Sequence, residues 1–224
     1  MKKTMFTVMV FLLAIGVAYA GQDVRNSKHN LSSAGTLSPY QTTSTDRVCV
    51  FCHTPHFAAS GEAPLWNRTL PNTTGYTMYS SATIDMTING VPQGVSLACL
   101  SCHDGTVAFD ALVNKPGSGI GAPSGWTWNT NGNIMTLTTS PSAMVGQDLS
   151  NDHPISITYD TTKDTAFNTL TNGKVGTLPL YGSAKNQVEC GSCHDPHQGG
   201  AGANPTFLRI ANTGSALCLT CHVK

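Results

Sequence analysis

All eight cysteines of this 224-residue chain fall into four CxxCH units. They are Cys49-Val-Phe-Cys52-His53, Cys99-Leu-Ser-Cys102-His103, Cys190-Gly-Ser-Cys193-His194 and Cys218-Leu-Thr-Cys221-His222. CxxCH is the attachment motif of c-type haem, and the chemistry explains the spacing. Two thiols three positions apart lie on one side of a helical turn and reach the two vinyl groups of one porphyrin. The next residue, a histidine, then offers an imidazole nitrogen to the iron. A disulfide scaffold leaves a histidine after every second cysteine unexplained, and so does a set of paired CxxC zinc sites. The reading is four covalently bound haem c groups.

The eight histidines close a count. His53, His103, His194 and His222 are the proximal ligands, leaving His29, His56, His153 and His197 for four distal positions. His56 follows His53 by three residues, and His197 follows His194 by three, both in a Cys-His-x-Pro-His context. Each leaves the backbone on the proximal side of its own haem, so it is placed to reach a neighbouring iron instead. His29 and His153 sit in polar, turn-like surroundings and rest on the count. Methionine is the rival distal ligand, with Met78, Met86, Met135 and Met144 available, and it would raise the potential of its haem.

The N-terminus has its own logic. Lys2 and Lys3 precede an apolar run from Met5 to Val17, and Ala18-Tyr19-Ala20 is a small-residue cleavage site. This pattern predicts a secretory signal peptide over 1–20. The run is too short to serve comfortably as a membrane anchor, and no span is expected in the mature chain. Without Lys2 and Lys3, ten basic side chains face twelve acidic ones. Nucleic-acid binding wants a basic patch, and none is expected. Charged residues make up 11% of the chain, against about 25% in a typical soluble domain. Gly, Ser, Thr and Asn fill the difference and favour turns over long helices. The expected fold is therefore mostly irregular, small α+β: short helices at the haem motifs and a few short strands around a stack of four haems. Porphyrin plates supply the missing apolar core.

The chain also repeats itself. Each half has a leading histidine (His29, His153), one CxxCHxPH (49–56, 190–197), one Pro-aromatic-Arg stretch (63–68, 204–209) and one CLxCH ending at His103 or His222. The predicted organisation is a first dihaem repeat over 21–113, a Gly/Ser/Thr-rich connection over 114–150, and a second dihaem repeat over 151–224. The first repeat carries an insertion over 69–94 whose alternation at 82–88 predicts a strand. In the connection, Trp126-Thr-Trp128 and Ile134 to Leu137 flank Asn131-Gly132, which predicts a hairpin. Two tryptophans so close predict packing against a haem or a partner chain.

These motifs resemble the multihaem cytochromes with doubled CxxCH units. The Cys-His-Asp-Pro-His and Ala-Leu-Cys-Leu-Thr-Cys-His patterns, with Asn151-Asp-His-Pro154, look like the tetrahaem OmcE-type cytochromes of extracellular nanowire filaments. The resemblance runs from His29 to His222. It implies bis-histidine ligation throughout and one histidine shared between adjoining subunits, a role for which His29 is the natural candidate. It also implies secretion to the cell exterior and electron transfer to redox partners or extracellular acceptors. Two alternatives stay open: a monomeric periplasmic carrier in which His29 folds back on its own haem, and a multihaem reductase. A reductase needs an iron with an open position, and eight histidines for eight axial positions leave none. No catalytic residues are expected, and no Ser-His-Asp set or phosphate loop is present.

Overall fold

The computed structural model describes residues 24–59, 63–115, 127–128, 137, 143–198 and 205–223. The expected signal peptide lies outside them. Regular structure is sparse. Helix α1 spans Gly94–His103, α2 Cys190–Cys193 and α3 Ala216–Cys221, while the first CxxCH unit opens on a 3-10 turn at Cys49–Phe51. Short helices do form at the motifs. Among the described residues, no helix is long and apolar enough to cross a membrane.

Local chemistry sets these helices. In α1, Leu97, Ala98 and Leu100 are buried, with Ser96 and Ser101 beside them. The Ser101 hydroxyl returns a hydrogen bond to the Ala98 carbonyl at 2.6 Å, so a polar residue is accommodated inside the helix. Helix α2 starts on a capping box. The Glu189 carboxylate accepts from the backbone N–H of Ser192, and the Ser192 hydroxyl accepts from that of Glu189, pairing two otherwise orphaned donors. His194 and His222 end α2 and α3 in extended conformation, with ψ of 143° and 137°. The chain turns out of the helix as each proximal ligand is reached.

Two short antiparallel pairs complete the second half. Strand β1 (Ile157–Thr158) pairs with β4 (Gln187–Val188), and β2 (Lys174–Val175) pairs with β3 (Leu178–Pro179). The β2–β3 turn passes through Gly176 at φ +57°, a region that favours glycine. The strand expected at 82–88 does not form. Only the end of that segment pairs: Ile88 bridges Ile157, with Thr158 N–H donating to Thr87 O and Asn89 N–H to Ser156 O. Ser81 and Thr83 instead bond each other through their hydroxyls, the local competition that draws such residues into turns. The pairing at Ile88 ties the first half to the second. A second tie is the Cys190 N–H, which donates to the Ser96 hydroxyl at 2.8 Å and docks α2 on α1.

The first half buries Leu31, Tyr40, Phe51, Phe109 and Leu112 in one cluster with Trp128 and Leu137 of the connection, and the second half buries Tyr159, Val175 and Leu180. Trp128 is 2% exposed. It meets Phe51 and Phe109 of its own chain with ring centroids 6.1 and 5.8 Å away. Its backbone bridges Thr42, and the Thr42 hydroxyl donates to Thr127 O at 2.7 Å. Trp128 thus closes the core of the first half, not a contact with a partner chain. Trp126 and the Asn131-Gly132 turn lie outside the described residues.

Candidate haem sites

An imidazole that binds a metal through one nitrogen usually donates its other N–H to an acceptor, which fixes the ring and makes it a better ligand. His53, His103 and His194 have this arrangement. His53 Nδ1 meets Pro64 O at 2.7 Å, His103 Nδ1 meets Ala143 O at 2.6 Å, and His194 Nδ1 meets Thr206 O at 2.7 Å. In each case Nε2 is left to face the haem. The carbonyls of Pro64, Ala143 and Thr206 escape a sequence reading, because a backbone oxygen leaves no residue-type signal. The first and third lie in the repeated Pro-aromatic stretch, which was the available clue.

Histidine pairs come next. Two imidazoles facing each other across one first-row metal ion, each nitrogen about 2 Å from it, put ring centroids about 6 Å apart. His53 and His197 stand 6.1 Å apart, His103 and His29 6.0 Å, and His222 and His153 6.4 Å. Each pair joins one proximal and one candidate distal histidine. The separations fit two ligands on one iron. His56 and His194 remain; both are exposed, and neither has a ring contact among the described residues.

His29 lies within its own chain. Its ring packs 4.5 Å from Phe207 as well as beside His103. The segment carrying it is tied down: Asn30 is buried and donates through Nδ2 to Arg25 O at 2.8 Å. The Nδ1 of His29 is buried without a hydrogen-bond partner. Burial, helped by the nearby His103 and His197, holds its pKa down to about 4. His103 is lowered as well, again chiefly by burial. Both rings are therefore held neutral, the form that can donate a lone pair to a metal.

The thiols line up between motifs. All eight are free, and among the described residues no group of three or more His, Cys, Asp or Glu is arranged to hold a metal ion. Burial pushes Cys52 up to about 12, with Cys102 close enough to add to the effect. Cys99 is raised by a hydrogen bond with Cys190 and by burial. Burial raises Cys193, with Cys190 and Cys218 contributing. The first motif thus adjoins the second, the second the third, and the third the fourth. A cavity of about 640 Å³ is lined by both His153 and His222, with Cys218, Cys221, Tyr159 and Phe167 on its walls, within the ~300–1,000 Å³ range of cofactor sites. The residues present fit a covalently attached haem.

The repeat is not exact in space. By sequence, Arg209 corresponds to Arg68. By contact, it takes the place of Asn67. The Asn67 N–H donates to Cys52 O and its Nδ2 to Val50 O; the Arg209 N–H donates to Cys193 O and its Nε to Gly191 O. The one-residue offset is already present at Thr206 and Phe207, whose carbonyls meet His194 Nδ1 and Asp195 N–H where those of Pro64 and Leu65 meet His53 Nδ1 and Thr54 N–H. Arg209 then reaches Asp195 at 3.0 Å, whereas Arg68 is fully buried elsewhere.

Comparisons with known proteins bear on the same motifs. Residues 182–224 match the family described as the doubled CXXCH motif. Over 168 residues, 66% of the chain, the sequence is 30% identical to the C-type cytochrome OmcS of Geobacter sulfurreducens (strain ATCC 51573 / DSM 12127 / PCA). The chain spans about a third of that relative's length, 32%. The CxxCH units and this similarity together indicate covalently bound haem c.

Proposed function

We propose that this chain is a tetrahaem c-type cytochrome that carries electrons, exported through its N-terminal segment. Haem iron supplies a one-electron couple; the protein's part is to anchor, orient and tune it. The assigned axial pairs are His53 with His197, His103 with His29, His222 with His153, and His194 with His56. The observation that carries the reading is the set of three proximal–distal ring separations between 6.0 and 6.4 Å. With all irons saturated there is no open position for a substrate. The succession of neighbouring thiols supports a continuous electron path from the first motif to the fourth.

The fourth pair follows from reciprocity. His197 of the third motif stands at His53 of the first, so His56 of the first motif is the counterpart for His194 of the third. Intact mass should exceed that of the processed polypeptide by four haem units. Electron paramagnetic resonance should give only low-spin iron. A persistent high-spin ferric signal assigned to the His194 iron would favour the reductase over the carrier.

Assembly into an extracellular filament is the second reading. His56 is exposed, and beside it Phe57 is 86% and Leu65 54% exposed, an apolar edge that another copy would cover. In this reading His56, not His29, crosses between copies. A head-to-tail contact of that kind gives open polymers when its rotation does not close. The test is His56→Ala in the exported protein. Filaments lost, with one high-spin iron per chain, support crossing. Wild-type protein that stays monomeric at high concentration leaves the periplasmic carrier.

A further inference from the structure

Arg68 is completely buried. Its guanidinium donates through Nε to the Ser101 hydroxyl, through one terminal nitrogen to Phe109 O, and through the other to Ser101 O and Ala108 O, all between 2.9 and 3.1 Å. Every acceptor is neutral. Among the described residues no carboxylate bonds it, although buried charges are ordinarily paired. A guanidinium keeps its charge throughout the accessible pH range. The first half therefore encloses a positive charge that is bonded only to neutral acceptors, between its two haem motifs; the buried carboxylates of Asp104 and Asp110 lie in the same half without bonding it. Arg209, its sequence counterpart, is bonded to Asp195, and a buried carboxylate, Glu189, stands beside Cys190.

We infer that Arg68 is an electrostatic tuning residue that raises the reduction potentials of the haems attached at Cys49/Cys52 and Cys99/Cys102 above those of the other two. A ferric centre that gains an electron becomes less positive. A fixed cation nearby, in a low-dielectric interior where charges interact strongly, stabilises that reduced form. Electrons distributed over the four haems then settle in the first half: a ferrous haem of the second half becomes ferric as a ferric haem of the first half becomes ferrous. The placement of the charge is visible in its bonds. Arg68 meets both the hydroxyl and the carbonyl of Ser101, between Cys99 and Cys102, and its chain neighbour Asn67 donates its N–H to Cys52 O.

The inference rests on the four-haem reading, and its test separates the two. Spectroelectrochemical titration of the exported holoprotein is run on wild type, Arg68→Lys, Arg68→Met and Ser101→Asp, with haem content of each by intact mass. Arg68→Met removes the charge. Ser101→Asp keeps the guanidinium and pairs it with a carboxylate, so the result does not depend on one substitution folding. Both variants are expected to lower the two highest midpoints by about tenfold in the one-electron equilibrium, ~59 mV, and to leave the lower two in place. Arg68→Lys should stay near wild type. Unchanged midpoints, a uniform drop of all four, or an Arg68→Lys shift as large as that of Arg68→Met would overturn the tuning role. Fewer than four haems in wild type would instead overturn the reading beneath it.

Discussion

His53 and His197 face each other with ring centroids 6.1 Å apart and planes only 15° from parallel. The other two pairs are crossed, at 88° for His29–His103 and 71° for His153–His222. Parallel rings on one iron split its two π-type d orbitals, and crossed rings leave them nearly degenerate. Electron paramagnetic resonance is expected to show both kinds of low-spin ferric centre, with His197→Met removing one rhombic signal. Spectra containing only one class would contradict these pairings.

Acid should spare the His29 ligand until late. Burial holds its pKa near 4, below the ordinary 6.5, so between those values an unfolded chain takes up a proton that the folded one refuses. The associated stability is complete above pH 6.5 and declines as the pH falls to about 4. The denaturant midpoint should fall as the pH drops from 6.5 towards 4, and His29→Phe should flatten that slope. An unchanged slope would refute the placement.

Asn67 is the clamp of the first motif. It is fully buried and bonds Val50 O, Asn114 O and Asn114 N–H at 2.7–2.8 Å. Asn67→Ala removes three hydrogen bonds and is expected to cost about 2–4 kcal/mol, read as a lower denaturant midpoint. Mass spectrometry should still find four haems if the motif itself survives.

Asp195→Asn tests the second half. Asp195 bonds Arg209 at 3.0 Å and accepts from His197 Nδ1 at 3.2 Å. Losing the charge should cost about 1–3 kcal/mol and weaken His197 as a donor to iron. A lower melting temperature and a raised midpoint for the haem at His53 are the expected outcomes. An unchanged midpoint would leave Asp195 with a structural role only.

Much of the local architecture was legible. CxxCH cysteines call for a helical turn, and turns or helices form at all four motifs. The Ser-, Thr- and Asn-rich stretches gave little regular structure, as their side chains bond the backbone locally. The strand at 82–88 was misread for the same reason. Alternation was present, but Ser81 and Thr83 satisfied each other and only Thr87 to Asn89 found a partner in Ile157 and its neighbours. The repeat was visible, yet the slip that moves Arg209 onto the role of Asn67 was not. Which carbonyl meets His194 is chosen by packing, not by residue type.

The sequence alone determined where haem can be attached, because covalent chemistry needs two thiols and an imidazole at fixed short spacing. It also supplied the number of candidate ligands. Tertiary structure decided which histidine meets which. His197 reaches His53 across more than a hundred residues, and His29 stands beside His103. Such pairings come from long-range packing, of α2 on α1 and of the Ile88 segment on β1, and no spacing rule encodes them. The charge on Arg68 was written in the sequence; that its bonds among the described residues all go to neutral acceptors was settled only when the chain closed around it.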